Sequence, residues 1–235
     1  MLNEILTINN NNYMKLNTIK EAIKDIKSGK MVIVIDNEDR ENEGDFIISS
    51  EKCRVEDVNF MMKEGRGLIC ISITNKIAKK LNLTPMVNSN TSMHETNFTV
   101  SVDAIKNATT GISAQDRWET VKVLLDENSK PEDLGRPGHM FPLIAKEGGV
   151  LQRAGHTEAA MDLAKLSGLK PGALLVEIVN DDGTMARTPE LETIAQKFNL
   201  PLISISDLIK YRRENYKIVE EISRVPFLQN LETLN

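Results

Sequence analysis

Short runs of β-branched apolar residues alternate along this chain with stretches whose apolar positions recur at helical spacing. Ile19, Ala22, Ile23 and Ile26 fall on one helical face, and Thr18 with Glu21 forms a capping-box signature at its start. Gly29 closes that helix, and residues 31–35 then read as a buried strand, as do residues 46–49. Val55, Val58 and Met62 predict a helix that stops at Gly65. Residues 68–73 predict a strand, 76–81 a short helix, 82–97 a long loop rich in Asn, Ser and Thr, and 98–103 an alternating strand.

The second half continues the alternation. Ser113 caps a helix to about residue 128, with Trp118, Val121, Leu124 and Leu125 inside. Residues 129–149 hold Pro and Gly but no periodic pattern, which predicts a long functional or irregular loop. A helix over 157–167 ends at Gly168, a buried strand covers 173–179, and residues 181–183 turn. Thr188-Pro189 opens a helix with the Thr as cap, residues 202–205 form a last strand, and Ser206 caps a final charged helix. No internal repeat interrupts this order. The expectation is a single mixed-sheet α/β (α+β) domain over residues 18–211. An Asn-rich, loosely held stretch (1–17) precedes it and a charged tail (212–235) follows it.

Composition narrows the function classes. A net charge of −5 supplies no basic footprint for nucleic acid, and no apolar run approaches the length of a membrane span. The start lacks the pattern of a secretory signal, so a cytoplasmic location is expected. Two cysteines, Cys53 and Cys70, make neither a disulfide framework nor a cysteine-based zinc site.

Charge is concentrated between the first two strands. Asp36-Asn37-Glu38-Asp39-Arg40-Glu41-Asn42-Glu43-Gly44-Asp45 carries six carboxylates in ten residues. Such a loop is either a solvated connection or a site for hard cations that take oxygen ligands. Gly44 suggests a loop able to close over a ligand. His139 lies in Gly-Arg-Pro-Gly-His, where glycine and proline fix a backbone shape that presents the imidazole. His156, in Arg153-Ala154-Gly155-His156-Thr157, falls at a helix start, where free N–H groups, the dipole and Arg153 make a phosphate cradle. Thr157 would cap that helix in any case. His94 reads as a solvated surface residue. Glu177 interrupts an otherwise buried strand, so it is paired, metal-bound, protonated or facing a cleft, unless it lies on the open face of an edge strand. Cys70 reads as a small core residue. The segment from Thr109 and Thr110 to Ser113 is a second possible anion-binding turn, although capping alone would explain it.

Five of these segments together resemble the 3,4-dihydroxy-2-butanone 4-phosphate synthase family of riboflavin biosynthesis. They are residues 36–45, 109–117, 136–142 and 153–157, and Glu177 with residues 180–187. One departure is Asn37, where that family usually has a second consecutive Asp. The resemblance implies conversion of D-ribulose 5-phosphate to L-3,4-dihydroxy-2-butanone 4-phosphate and formate. It implies two Mg2+ ions, replaceable by Mn2+, held by Glu41 and His156. It places Arg40, Glu41, Asp45, residues Arg153, Ala154, Gly155, His156 and Thr157, and Glu177 at the substrate. His139 and Glu177 match proton-handling positions, and Cys70, Thr110 and Asp36 stand as possible additions. The family is homodimeric, with sites at the subunit interface. In some organisms the domain is fused to GTP cyclohydrolase II. Residues 212–228 look like the start of such a linker, and a monofunctional form is the expectation here. A metal-dependent phosphosugar isomerase or aldolase is the alternative, and a cation buffer without catalysis a remoter one.

Overall fold

The computed structural model describes residues 16–216. Most of the expected loose start (1–17) and of the expected tail lies outside the described residues; of the start, Asn17 is held by paired hydrogen bonds with the Leu202 backbone. Seven strands form one mixed sheet: β1 (Val32–Ile35), β2 (Gly44–Ser49), β3 (Cys70–Ile73), β4 (Val102–Ala104), β5 (Leu134–Ile144), β6 (Gly172–Glu177) and β7 (Leu202–Ser204). Their spatial order is β4-β5-β3-β6-β2-β1-β7. Seven α-helices accompany them: α1 (Ile19–Lys27), α2 (Val55–Phe60), α3 (Asn75–Lys80), α4 (Ala114–Leu125), α5 (His156–Leu166), α6 (Thr188–Phe198) and α7 (Ile205–Asn215).

The continuous apolar runs of the strands are explained by burial on both faces. Ile33, Phe46, Ile71, Leu174 and Val176 share a core with Val58, Leu124 and Leu191 of α2, α4 and α6. Val32, Val34, Ile47, Ala173 and Leu175 share another with Ile19 and Ala22, Ala160 and Leu163, and Leu208 of α1, α5 and α7. Helices on both faces make three layers around the sheet.

Local signals explain most boundaries. Thr18 and Glu21 form the reciprocal capping box, and Gly29 adopts φ +85° just beyond α1. Ser113 caps α4 through the Asp116 amide. Other expectations are corrected. The helix starting at Val55 changes after Phe60 into a π-helical turn, Met61–Gly65. The strand expected over 98–103 pairs regularly only from Val102, with isolated bridges at Phe98 and Thr99. Gly155, not Thr157, is the N-cap of α5, Arg187 precedes α6 in place of Thr188, and Ser204 caps α7 in place of Ser206.

The largest correction concerns residues 129–149. Residues 134–144 are a full strand, pairing β4 on one side and β3 on the other. Periodicity fails there because the β4–β5 register shifts: Val102 faces Met140 while Asp103 faces Gly135, so residues 136–139 form an excursion from the ladder. Arg136 pins that excursion by donating to the carbonyls of Pro131, Leu134 and Leu81.

Candidate active site

The acidic loop joins the antiparallel pair β1 and β2, and Asp36 organises it. Asp36 is buried; one carboxylate oxygen accepts from the Glu41 amide and the Arg40 guanidinium, the other from the Glu43 amide. Arg187, at the start of α6, donates to the carbonyls of Glu41 and Asn42 from outside. Asn37 is exposed, and its side-chain oxygen accepts only from the Asp39 amide, a role any carboxylate can fill. Packing alone accounts for Gly44. It is buried at the first position of β2, where an added Cβ would lie 2.6 Å from Leu191 Cδ1.

Three strand ends and one helix start meet at this loop. Asp45 and Glu177 are direct cross-strand partners on β2 and β6, and Cys70 begins β3 on the other side of β6. β6 is central in the sheet, so Glu177 is not on an edge; one of its carboxylate oxygens accepts from the Leu68 amide at 2.9 Å. α5 begins with His156, directly above. The resulting cleft is lined by Arg40, Glu41, Glu43, Asp45, Cys70, Arg153, His156, Thr157 and Glu177, with Thr96, Phe98, Leu68, Leu143 and Leu175 as its remaining wall.

His156 has a fixed orientation. Its Nε2 lies 3.1 Å from the Val34 carbonyl, which can only accept, so Nε2 carries a proton and Nδ1 faces the acids. Nδ1 lies 3.6 Å from a Glu41 oxygen and 3.8 Å from Asp45 Oδ1. Burial alone would lower the imidazolium pKa, but Asp45, Glu41 and Asp36 outweigh it and raise it to about 9. Burial likewise works to raise Glu41, yet His156 and Arg40 bring it down to about 2. Asp45 is fully enclosed; desolvation, with the charges of Glu177, Glu41 and Glu43 adding to it, raises it to about 7 against the pull of His156. The Cys70 thiol is raised well above its usual value by burial and by Glu177 and Asp45, which keeps it protonated.

Asp45 Oδ1 is buried and has no hydrogen-bond partner among the described residues. An orphaned carboxylate oxygen beside Glu41 and an outward-facing imidazole nitrogen fits a hard divalent cation, whose charge would compensate all three groups. Asp36, Glu41 and His156 each offer a ligand atom within 4.8 Å of the others. Both Asp36 oxygens already accept loop donors, while Asp45, outside that trio, places its orphaned Oδ1 3.8 Å from His156 Nδ1.

The start of α5 has no side-chain cap, so its first amides are free to meet an anion. Arg153 lines the cleft, but its fork is engaged: two nitrogens donate to the His94 carbonyl, one of these also to the Thr96 hydroxyl, and the third pairs with buried Glu158 at 2.6 Å. Gly155 packs against the Arg153 and Arg40 guanidinium groups, where a side chain would not fit. Ala154 is exposed and outside the lining.

Two expected site segments lie elsewhere. His139 is exposed on the β5 excursion, its Nδ1 2.7 Å and its amide 2.8 Å from the Asp103 carboxylate, and it does not line the cleft. Gly111, at φ +89°, gives that pair its room. Thr110 is exposed nearby, and the turn's donors, the Thr109 and Gly111 amides and the Thr109 hydroxyl, all bind Asp116. Capping therefore accounts for that turn. Sequence reasoning missed Asp103 and Arg187, and did not foresee the neighbour that His94 has, with its side chain 30% exposed. The imidazole expected in solvent lies 3.8 Å from Glu41. No local pattern signals these, since each depends on a contact between distant segments.

Fold and cleft together define a mixed α/β protein that sets an acid–histidine cluster, of the kind suited to hard divalent cations, beside a helix start with no side-chain cap. The chain belongs to the 3,4-dihydroxy-2-butanone 4-phosphate synthase family, which it matches over residues 20–211. It is 57% identical over 219 residues to riboflavin biosynthesis protein RibBA of Cytophaga hutchinsonii, covering 93% of this chain and 54% of that protein. Against RibBA of Porphyromonas gingivalis the identity is 56%, over 88% of this chain and 52% of the relative. The chain thus spans about half the length of the curated relatives it matches. Among solved structures, a 3,4-dihydroxy-2-butanone 4-phosphate synthase in complex with two magnesium ions superposes with TM-score 0.82 at 38% identity, covering 85% of this chain and 98% of that one. The two-domain synthase RibBX from A. baumannii superposes with TM-score 0.82 at 46% identity, covering 86% and 59%. No helix among the described residues is long and apolar enough to cross a membrane.

Proposed function

We propose that residues 18–211 form a catalytic domain that converts D-ribulose 5-phosphate to L-3,4-dihydroxy-2-butanone 4-phosphate and formate. The observation that carries this reading is the orphaned Asp45 oxygen beside Glu41 and His156, within reach of an uncapped helix start. Glu41 and His156 would hold Mg2+, with Mn2+ as a substitute, and Asp36 lies within reach of both. A magnesium pair, as in the solved relative, supplies Lewis-acid stabilisation of charge that develops on substrate oxygens.

The chain's own residues supply the rest. The α5 amides, with Thr157 beside them, bind the phosphate. Arg40, tied to Asp36 at 2.8 Å and Glu41 at 2.7 Å, keeps the acidic loop in place and offers its remaining donors to the sugar. Glu177, at the cleft floor, moves a proton at a substrate carbon. Phe98, Leu143, Leu175 and Leu68 exclude water from that floor. His139 is the second proton carrier. It lies outside the cleft of its own chain, which supports a homodimer in which each site takes His139 and Asp103 from the other copy. Exposed Ile105 and Ile112 flank that pair, as expected for a surface that a second chain covers. The cytosol is the expected compartment.

Incubating the purified chain with ribulose 5-phosphate and Mg2+, with and without chelator, tests the assignment. Formate release that the chelator suppresses is expected. Release of pentose phosphates without formate would establish the isomerase alternative instead.

A further inference from the structure

The loop over residues 90–97 borders the cleft at Thr96. The Asn90 side chain accepts from the Ser92 amide and hydroxyl and donates to the Thr96 carbonyl, closing the loop on itself. Arg153 then fastens it: its Nε and one terminal nitrogen reach the His94 carbonyl at 3.1 and 2.9 Å, and the same terminal nitrogen reaches the Thr96 hydroxyl at 2.8 Å. The opposite side of that guanidinium is anchored on Glu158, which is 1% exposed. The strap is therefore held at His94 by the residue that opens the phosphate-binding turn.

This fixed backbone sets the imidazole, 30% exposed and outside the cleft lining, next to Glu41, which does line it. His94 Nε2 lies 3.8 Å from Glu41 Oε1, while the other Glu41 oxygen accepts from Arg40 and faces His156. Glu41 thus stands between two imidazoles. A separation of 3.8 Å is too long for a hydrogen bond, so among the described residues the imidazole makes no hydrogen bond to Glu41. The strap is otherwise peripheral, with Met93 90% exposed, so nothing in the core requires a histidine there.

We propose that His94 is a further substrate-binding residue, whose Nε2 hydrogen-bonds a hydroxyl of the polyhydroxylated sugar phosphate on the Glu41 Oε1 side. The inference rests on the function proposed above and adds a contact that the metal cluster and the phosphate turn do not provide. Because Arg153 holds both the strap and the turn, phosphate binding and this hydroxyl contact are parts of one rigid unit.

The test uses two variants of the full chain, His94→Phe, which keeps a ring without nitrogen, and His94→Gln, which keeps a donor. His94→Phe should lower kcat/KM for formate release by about ten-fold, mainly through KM, as expected for one lost hydrogen bond to a buried ligand. His94→Gln should recover most of that loss. Mn2+ affinity in the absence of substrate, read by electron paramagnetic resonance, should be unchanged in both. Unchanged kcat/KM in His94→Phe overturns the proposal, and so does a parallel fall in Mn2+ affinity, which would make His94 a cation ligand. If the wild-type chain releases no formate, the activity assignment fails separately. Calorimetric titration with ribulose 5-phosphate and Mg2+ then decides on His94, and equal binding by wild type and His94→Phe refutes its role.

Discussion

Protons occupy the metal-free cluster much as a cation would. His156, raised to about 9, carries one at neutral pH, and Asp45, raised to about 7, is part-protonated. Cation binding must expel protons, because a ligating imidazole nitrogen has to be free. Calorimetry in buffers of different ionisation enthalpy should therefore detect release of about one proton or more per site at neutral pH. Affinity should rise as the pH approaches about 9. His156→Asn should remove the imidazolium's share of the release and leave that of Asp45, which loses the pull of His156 and holds its proton more tightly. The same shifts set a stability profile. Stabilisation from His156 is fully present below its ordinary value of 6.5 and is lost as the pH rises through about 9. Asp45 contributes in the same direction, its folded proton being lost as the pH rises through about 7. The metal-free chain should thus melt at lower temperature as the pH is raised from neutral, and Mg2+ should offset the fall. A melting temperature that rises over this window would contradict the assignment of these shifts. Glu41→Gln keeps the shape but removes the ligand charge. It should cut Mg2+ affinity and turnover by on the order of 100-fold, with the fold intact by circular dichroism.

At the scale of elements, legibility followed the number of segments involved. α1 was readable to its cap because Thr18, Glu21 and Gly29 act within a few residues. The acidic loop was readable as a site because charge that dense between buried strands needs compensation. β5 was not, because its ladder is interrupted by the 136–139 excursion, and the pairing that makes it a strand comes from β3 and β4. The same reason hides Arg187, which braces the acidic loop from the start of α6. Arg187→Ala should loosen that loop, raise KM several-fold and leave the melting temperature nearly unchanged. A kcat loss with unaltered KM would argue against the bracing role. Gly44→Ala belongs here too: the methyl would press on Leu191 and cost about 1–3 kcal/mol, read as a shift of the urea midpoint.

The whole molecule poses the question of how many chains make a site. The motifs point to two expected halves, Glu41 with His156 and the Arg-Pro-Gly-His excursion, and a single chain brings only the first together. If the halves join across a dimer, His139→Ala and Glu177→Gln chains should each be inactive alone. Unfolded and refolded together, they should recover about a quarter of wild-type activity, since half the dimers are mixed and each mixed dimer holds one intact site of two. No recovery, with mixed dimers demonstrated, would place His139 in its own chain's site or outside catalysis.

One feature of the sheet also limits how such a site can change. Asp45 and Glu177 sit opposite each other in the β2–β6 ladder, between neighbours Phe46 and Val176 that point into the other core. A single inserted or deleted residue in either strand would exchange the two sets, burying carboxylates among the helices and baring aromatic and aliphatic groups in the cleft. Point substitutions can tune this chemistry step by step, but changes of length in β2 or β6 cannot. Variation in length is therefore expected in the connections, above all in the polar residues 82–89, while the strands that frame the cleft keep their count.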